Sequence, residues 1–224
     1  MKHIIKGDEP PKLYNWKAQA NENWKPTWDN FSGEPKQATK TALVKEQGMI
    51  CCYCMKRINE QSSHIEHIIP RSVSGKNEAQ KLDYSNMLAS CQGEDKEDNS
   101  PANNGNGKKL KTQQHCGHYR ENWYDSVLYI SPLETSCETR FRYYDDGKIK
   151  PAPDDLGAEA NTKKLRLDYS LLEKNRKKAI RGVITDELSV DDLRLLLQRY
   201  SERDAEGKFR EYCGAIQQVI QKQI

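Results

Sequence analysis

The stretch "HCGHYR" (residues 115–120) concentrates metal-binding side chains in a chain with little histidine. It holds two of the five histidines and one of the seven cysteines. It follows a polar segment, 92–114, which is rich in Asn, Gly, Lys and Glu and poor in apolar residues. We expect that segment to be a mobile surface loop. The coordinating side chains after it therefore need partners elsewhere in the chain.

A first set of partners is "CCYC" (51–54). The spacing of Cys51 and Cys54 lets a tight turn present two thiolates to one tetrahedral zinc, although a single C-x-x-C also fits a redox pair or coincidence. Cys91 ends the fragment "LDYSNMLASC" (82–91). For a chain that we expect to be cytoplasmic, seven cysteines indicate metal ligation or buried thiols more than disulfides.

The fragment "HIEHIIPRS" (64–72) carries a carboxylate between histidines. Alternate side chains of a strand share a face, so His64 and Glu66 should lie opposite His67. The strand must turn or bulge near Pro70 for Glu66 and His67 to serve one site. The carboxylate can hold a divalent cation, and a neutral imidazole can take a proton from water. Taken alone, the fragment also fits a strand-end histidine satisfied by hydrogen bonds.

Asn86 follows in the fragment 82–91, next to an apolar strand. An asparagine near a catalytic histidine can bridge backbone and side chain and so fix a loop.

Composition limits the classes of function. The net charge is +3, so a nucleic-acid contact needs a local basic face instead of bulk positive charge. No apolar run of about eighteen residues appears, which excludes a membrane span. The first residues lack the apolar centre and cleavage site of a signal peptide, and we expect a cytoplasmic protein.

Three regions follow from the pattern along the chain: an arm over 1–40, a central block over 41–150 and a helical region over 151–224. The tryptophans of the arm either anchor it on the core or bind a partner. A short helix is predicted over 39–48, and a hairpin is predicted around "DDGK" (145–148). A capping box opens a helix at Ser189 and Asp192, and a last helix from Phe209 either joins the core or docks on a partner. The tryptophans are Trp16, Trp24 and Trp28.

Taken together, Cys51-x-x-Cys54, Glu66-His67, Asn86 and Cys91 resemble the HNH, or ββα-metal, nucleases. The order of "CCYC", "IEHIIPRS", "YSNMLASCQG" and "CGHYR" is similar to that of the PtuB-like HNH proteins over about residues 45–180. Those proteins accompany an ABC-type ATPase, PtuA, in Septu anti-phage systems and in certain retrons.

The resemblance implies an α+β fold in which two strands and a helix surround a catalytic divalent metal beside a four-cysteine zinc knuckle. The family usually closes with a second C-x-x-C followed by His or Asn, but here "QGED" follows Cys91. Cys116 would then complete the zinc site with Cys51, Cys54 and Cys91. His118 would close the HNH set at the start of the helix, and 92–114 becomes an insert between two zinc ligands.

The resemblance also implies roles for single residues. Glu66 and His118 would hold Mg²⁺ or a related cation, His67 would activate water, and Asn86 would orient His67. The four cysteines would hold a structural zinc. His115 should face the insert and solvent; in the alternative, His115 is the metal ligand and His118 caps the helix. Nucleic-acid contacts are expected from Arg71, Lys108, Lys109, Lys111 and Arg120, with a solvated loop as the alternative for the three lysines.

These features predict a metal-dependent endonuclease that hydrolyses phosphodiester bonds, with DNA favoured and tRNA as the second candidate. By the resemblance, the protein would be the effector of an anti-phage system with a PtuA-like ATPase, and retron members would add a reverse transcriptase and its msDNA. The rival interpretation is a zinc-knuckle binding module, or an ATPase adaptor, without cleavage. The pair His67 and Asn86 favours the nuclease, because zinc and binding do not require it.

Overall fold

The computed structural model describes residues 1–93 and 114–224. Within these ranges the chain mixes helices with two small sheets, which confirms the predicted α+β class. In chain order the elements are α1 (Pro11–Lys17), α2 (Gly33–Glu46), β1 (Ser63–His67), α3 (Arg71–Ser74), α4 (Glu78–Lys81), β2 (Met87–Cys91), α5 (Cys116–Arg120), β3 (Phe141–Tyr143), β4 (Ile149–Pro151), α6 (Leu156–Lys164), α7 (Ser170–Arg181), α8 (Val190–Ser201) and α9 (Cys213–Gln221).

The sheet that positions the candidate site is the antiparallel pair of β1 and β2. Its register runs from Ser63 opposite Cys91 to His67 opposite Met87 without interruption. Every residue of β2 is buried, and the short helix α5 and the longer α2 pack against it. The two strands and α5 therefore form one frame, although α5 is far from the strands in sequence.

A side chain completes the hydrogen bonding of β2. The Gln47 amide donates to the Ala89 carbonyl at 2.8 Å, and its oxygen accepts from the Ala89 amide at 2.7 Å. The side chain thus takes the place of a neighbouring strand at Ala89, whose carbonyl also accepts from the Cys52 amide. Gln47 immediately follows α2, so these bonds fix that helix against the sheet.

The helix predicted over 39–48 begins earlier, at Gly33, and ends at Glu46. Pro35 lies in its first turn, where the missing N–H leaves no helical hydrogen bond unmade. Gly48 follows the helix with a positive φ of 65°, as expected of a helix-ending glycine. The predicted helix was therefore right in kind and too short at its start.

The predicted hairpin is confirmed by β3 and β4, which pair Phe141 with Pro151. Gly147 in its turn has a φ of 85° and lies against α7. Arg176 of α7, only 1% exposed, donates from Nε to the Gly147 carbonyl at 2.7 Å. The predicted capping box is also present: the side chains of Ser189 and Asp192 each bond the other's backbone at the start of α8.

The last helix is a core element. Tyr212, with a φ of 55°, precedes α9, and Phe209 lies before the helix. Helix α9 packs against α7, α8 and β3, which confirms the alternative in which it joins the core. Its buried residues are Cys213, Gly214, Ala215, Ile216, Gln217, Val219 and Ile220.

The tryptophans anchor the arm on the protein's own core. The Trp16 ring lies 5.6 Å from the Trp24 ring and 5.1 Å from that of Phe31, and Trp28 is 5.5 Å from Phe31. Phe31 is 1% exposed. Edge-on and tilted aromatic packing of this kind adds to the energy of burial. Of the two alternatives for these residues, anchoring accounts for Trp16 and Trp28.

Buried apolar side chains from all three predicted regions form one cluster, from Met1 to Ile220. The division into 1–40, 41–150 and 151–224 stays a prediction. Among the described residues, we find no helix with the length and apolar character that crossing a membrane requires. The expected cytoplasmic location stays a prediction as well.

Ile220→Ala tests whether α9 is part of the core. Ile220 is fully buried, so truncation should lower the free energy of unfolding by about 2–5 kcal/mol. Gln221→Ala, on the exposed side of the same helix, is the matched control and should change it by less than about 0.5 kcal/mol. Urea unfolding followed by circular dichroism measures both. Equal stability of the two variants would contradict the core assignment.

Candidate metal centre and active site

Four cysteines converge in the core. The ligand atoms of Cys51, Cys54, Cys91 and Cys116 all lie within 4.8 Å of one another, and all four residues are buried. Zn–S bonds of about 2.3 Å in a tetrahedron place sulfurs about 3.8 Å apart. The Cys54 and Cys91 sulfurs are 3.8 Å apart. The all-sulfur set therefore fits a structural zinc, which these residues would hold.

The backbone around the turn 51–54 explains how two of the thiols are presented. The Cys51 amide donates to the Lys56 carbonyl at 2.8 Å, and the Met55 amide donates to the Cys51 carbonyl at 3.1 Å. The Cys52 amide donates to the Ala89 carbonyl of β2 at 3.2 Å. The turn is thereby fixed beside the strand that ends in the third cysteine.

The thiols also influence one another's ionisation. Burial alone would raise the pKa of Cys51, but hydrogen bonds from neighbouring thiols, Cys116 first, hold that pKa well below its ordinary value. Burial raises the pKa of Cys116, and its hydrogen bond to Cys51 raises it further. The cluster thus stabilises one thiolate by sharing protons from the others, and a bound cation would favour the ionised form of all four.

The two ends of the segment 94–113 meet beside this cluster. The His115 amide donates to the Gly93 carbonyl at 3.1 Å. Gly93 has a φ of 62°, and a Cβ there would collide with the His115 backbone. This closure is why Cys91 and Cys116 can face each other from opposite sides of the segment. The predicted loop lies outside the described residues, apart from its ends, and so do Lys108, Lys109 and Lys111.

His115 is buried, so the prediction that it faces solvent is wrong. Its Nδ1 lies 3.1 Å from the Cys116 sulfur and 3.9 Å from the Cys91 sulfur. The reason is the backbone of Cys116, whose φ of 56° turns the chain at the entrance to α5. An imidazole N–H at this place can donate to a thiolate, as ligand-orienting groups around metals do.

A second polar group surrounds Glu66 on β1. Glu66 Oε1 accepts from Arg120 Nη1 at 2.7 Å and from the Tyr53 hydroxyl at 3.0 Å. His64 Nε2 lies 3.3 Å from Glu66 Oε2. Burial would raise the pKa of the carboxyl, but the hydrogen bond from His64 and the charge of Arg120 outweigh it, so the pKa of Glu66 is lowered. Glu66 is therefore a buried, ionised carboxylate.

Arg120 has a different position from the one predicted. Its side chain is fully buried, and its guanidinium stacks 4.4 Å from the Tyr129 ring. A guanidinium used up in this way cannot reach a phosphate, so the predicted nucleic-acid contact is wrong and Arg120 holds Glu66 instead. Its acceptors are the Tyr53 hydroxyl, the Glu66 carboxylate and the carbonyls of His67, Ile68 and Trp123.

His118 joins the Glu66 group from α5. Its ring stacks on that of His64, with centroids 4.3 Å apart and planes inclined by 10°. A Cβ on Gly117 would collide with the Glu66 carboxylate and come within 2.8 Å of His64 Nε2. Only glycine therefore lets the helix entrance approach the strand this closely. Sequence alternation pairs His64 with Glu66, but the contact with His118 carries no local signal.

The donors of this second group, one carboxylate oxygen and two imidazoles, suit a divalent cation. The donor atoms of this second group lie farther apart than the four cysteine sulfurs. Among the described residues, the four cysteines are the metal-ligand cluster whose donor atoms all lie within 4.8 Å. A cation bound between His64, Glu66 and His118 would draw those side chains closer.

His67 lies on the other side of β1. Its Nε2 lies 2.9 Å from the Lys81 carbonyl and must donate to it, and its ring meets Trp28 edge-on at 4.4 Å. Burial lowers the pKa of the imidazole, which favours the neutral form. The strand is regular through His67, so the expected distortion does not occur within β1. The structure thus separates His67 from Glu66 and His118.

Asn86 braces the neighbourhood of His67. Its Oδ1 accepts from the Ile69 amide at 2.8 Å, and its Nδ2 donates to the carbonyls of Ile69 at 3.2 Å and Gln80 at 3.1 Å. Asn86 therefore fixes the chain after β1 against the end of α4. Gln80 is one residue before Lys81, whose carbonyl accepts the hydrogen bond from His67. The roles of His67, Asn86, Glu66 and His118 in catalysis stay predictions.

Two further residues of this neighbourhood were missed or left open. Tyr53 was not singled out, although it lies inside "CCYC" beside the candidate zinc ligands. Its hydroxyl also contacts the Tyr129 hydroxyl at 3.0 Å. Arg71 is exposed, with its guanidinium 5.0 Å from the Trp28 ring, and its predicted nucleic-acid contact stays a prediction.

Comparison with known proteins points the same way as this geometry. No protein-family model matches the chain. The chain is 32% identical over 118 residues to a protein of Vibrio cholerae serotype O1 biovar El Tor named "Retron Vc95 putative HNH endonuclease". The match covers 52% of this chain and 48% of that protein, so the chain spans about half the length of this curated relative. The similarity supports an endonuclease of the HNH type.

Cys91→Ser tests the zinc site. Removing one of four thiolates should release zinc and lower the free energy of unfolding, because metal binding contributes folding energy at such sites. Zinc per chain, measured by plasma mass spectrometry after dialysis, should fall from about one to near zero. Cys137→Ser, a buried cysteine outside the cluster, is the control and should keep its zinc. A folded Cys91→Ser protein with full zinc would contradict the assignment.

Gly117→Ala tests the approach of α5 to β1. The added methyl group overlaps the Glu66 carboxylate, and overpacking of this kind destabilises proteins by about 1–3 kcal/mol. Gly182→Ala, after α7 in ordinary helical backbone, is the matched control. Thermal unfolding should show a clear loss for Gly117→Ala alone. The same small effect in both variants would show that the helix entrance has more room than the structure gives it.

Proposed function

We propose that the chain is a metal-dependent HNH endonuclease that hydrolyses phosphodiester bonds in nucleic acid. The observation that carries the proposal is one group next to a four-cysteine cluster: His64 contacts Glu66 on the same strand and stacks on His118 from α5. Similarity to a protein named as an HNH endonuclease supports it. In this proposal β1, β2 and α5 are the ββα-metal core.

Glu66 offers one oxygen to a cation. Its Oε1 is occupied by Arg120 and Tyr53, whereas Oε2 faces His64. We assign Glu66 Oε2 and His118 as cation ligands, with His64 beside them. A divalent cation would polarise the scissile phosphate and stabilise the charge that develops on the leaving oxygen. A mixed oxygen and nitrogen set suits Mn²⁺ or Ni²⁺ as well as Mg²⁺, so a metal series belongs in the first assays.

His67 is the proposed general base. Because its Nε2 donates to the Lys81 carbonyl, its Nδ1 carries the lone pair that accepts a proton. Burial keeps the imidazole neutral and ready for this task. His67 is also the last residue of β1. Asn86 acts as a positioning residue because it holds the end of α4, where the Lys81 carbonyl accepts the hydrogen bond from His67.

The zinc knuckle would be structural in this scheme. It would hold the turn 51–54, the end of β2 and the entrance to α5, and Tyr53 of that turn bonds Glu66. Loss of zinc should therefore disturb the carboxylate through Tyr53 as well as through α5. No open coordination position is needed, since four thiolates complete a tetrahedron.

We further propose that the nuclease is the effector of an anti-phage defence system and works with a PtuA-like ABC-type ATPase. A retron reverse transcriptase and its msDNA are additional proposed partners, and the relative's name, which includes a retron, supports this part of the proposal. Plasmid DNA is the favoured substrate and tRNA the second. Incubating the purified chain with plasmid and with total tRNA, with and without the neighbouring ATPase, tests these assignments. Cleavage of neither in any divalent cation would favour the non-cleaving adaptor.

His67→Ala and His118→Ala test the proposed chemistry. Each should lower the cleavage rate by about 10²-fold or more, because loss of a general base or of a cation ligand removes transition-state stabilisation. Zinc content and the unfolding midpoint should stay near those of the wild type. His3→Ala removes a histidine outside both groups and is the matched control.

The variants also show which face of β1 carries the general base. If His67→Ala cuts at the wild-type rate while His64→Ala does not, the base lies on the Glu66 face and the proposed role of His67 is wrong. His115→Ala should lower zinc retention more than cleavage by the zinc-loaded protein, since His115 lies against the thiols.

A further inference from the structure

A cluster of positive charge lies beside the candidate site, on α2 and at the start of α3. Lys36 and Lys40 are four residues apart on α2, so they share a face of the helix. Arg71 is exposed at the start of α3. Among the described residues, no carboxylate lies within ion-pair distance of any of the three.

Trp28 connects these cations to His67. The Lys36 ammonium lies 4.9 Å from the Trp28 ring centre, and the Arg71 guanidinium lies 5.0 Å from it. The same ring meets His67 edge-on at 4.4 Å. Cation–π contacts of this kind hold charged groups in place without neutralising them. The charge therefore stays available for an anion close to His67.

The lysines also reach the other face of β1. Lys36 and Lys40 line a groove of about 420 Å³ between α2 and β1 that also contains His64, the histidine stacked on His118. Glu60 is the acidic residue of that groove. Lys36 and Lys40 therefore lie between the face of β1 that carries His67 and the face that carries His64.

Keeping these cations together is unfavourable without a ligand. Like charges at positions i and i+4 of a helix destabilise it. Burial lowers the pKa of Lys36, and the nearby positive charges of Arg71 and Lys40 lower it further, so both repel the Lys36 ammonium. An anion bound between them would relieve that repulsion. Phosphates in series, as in a nucleic-acid backbone, match cations spread along one helix face.

From this arrangement we infer that Lys36, Lys40 and Arg71 form a phosphate-binding surface that receives the DNA backbone next to the cleavage site. The inference rests on the proposed nuclease function and adds the surface that holds its substrate. The backbone would pass over the first half of α2, with Trp28 fixing Lys36 and Arg71 beneath it. The sequence carries no signal of this role, because Arg71 and His67 come from a distant part of the chain.

The test is the double variant Lys36→Gln/Lys40→Gln in the full chain. Binding to a short fluorescein-labelled DNA duplex is measured by anisotropy over a series of salt concentrations, without added divalent cation. Loss of two phosphate contacts should reduce the slope of log affinity against log salt by about 1.8 and weaken binding at low salt about ten-fold or more. Zinc content and the unfolding midpoint should not change.

Two further variants make the result specific. Lys163→Gln/Lys164→Gln removes the same charge from exposed positions on α6 and should bind like the wild type. Lys36→Arg/Lys40→Arg keeps the charge and should also keep affinity and slope. If the glutamine variant at 36 and 40 binds like the α6 control, the inference is overturned. Dependence on these lysines for total tRNA but not for duplex DNA would overturn DNA as the ligand.

The outcome separates this inference from the nuclease proposal. If the wild-type chain cleaves DNA and the glutamine variant binds DNA unchanged, the nuclease proposal is supported and the phosphate-binding surface is contradicted. If the wild-type chain cleaves nothing but the glutamine variant loses binding, the surface is supported and the nuclease proposal is contradicted. In an active enzyme the glutamine variant should raise KM far more than it lowers kcat, since these lysines hold substrate and take no part in bond breaking.

Discussion

The buried ion pair of Glu66 and Arg120 joins parts of the chain that are 54 residues apart. Glu66 belongs to β1 and Arg120 to α5, and the same guanidinium also bonds the backbone that leaves β1. A buried pair of this kind adds little net stability over a well-packed apolar pair, but removing one partner costs about 3–5 kcal/mol. The pair therefore specifies one arrangement of β1 and α5. It uses Glu66 Oε1 and leaves Oε2 to contact His64 or a cation.

The thiol cluster and the ion pair support each other through shared elements. Helix α5 begins at Cys116 in the cluster and ends at Arg120 in the ion pair, which is barely more than one turn. The turn 51–54 supplies two thiols and also Tyr53, whose hydroxyl bonds Glu66. A displacement of the sulfurs must therefore move the carboxylate. This explains how a structural metal can matter to a reaction in which it takes no direct part.

The sequence predicted well the features that depend on near neighbours. The hairpin around Gly147 and the capping box at Ser189 are local, since a turn or a helix start is decided within four or five residues. The four-cysteine set followed from the family resemblance, because the C-x-x-C alone fits a redox pair as well as zinc. Tertiary context decided the rest. Arg120 looked like a phosphate ligand because its acceptors, Glu66 and Tyr53, come from distant turns and strands. His115 looked exposed because nothing local shows the left-handed backbone of Cys116.

The strand β1 sets the remaining constraint on the candidate site. With a period of two, a regular strand cannot aim Glu66 and His67 at the same point, and no bulge relieves this within Ser63–His67. A substrate that needs both must therefore wrap around the end of the strand. A nucleic-acid backbone is long and flexible enough to do so if cations hold it on both sides. Lys36, which touches Trp28 on one side and the His64 groove on the other, lies where such a path would cross.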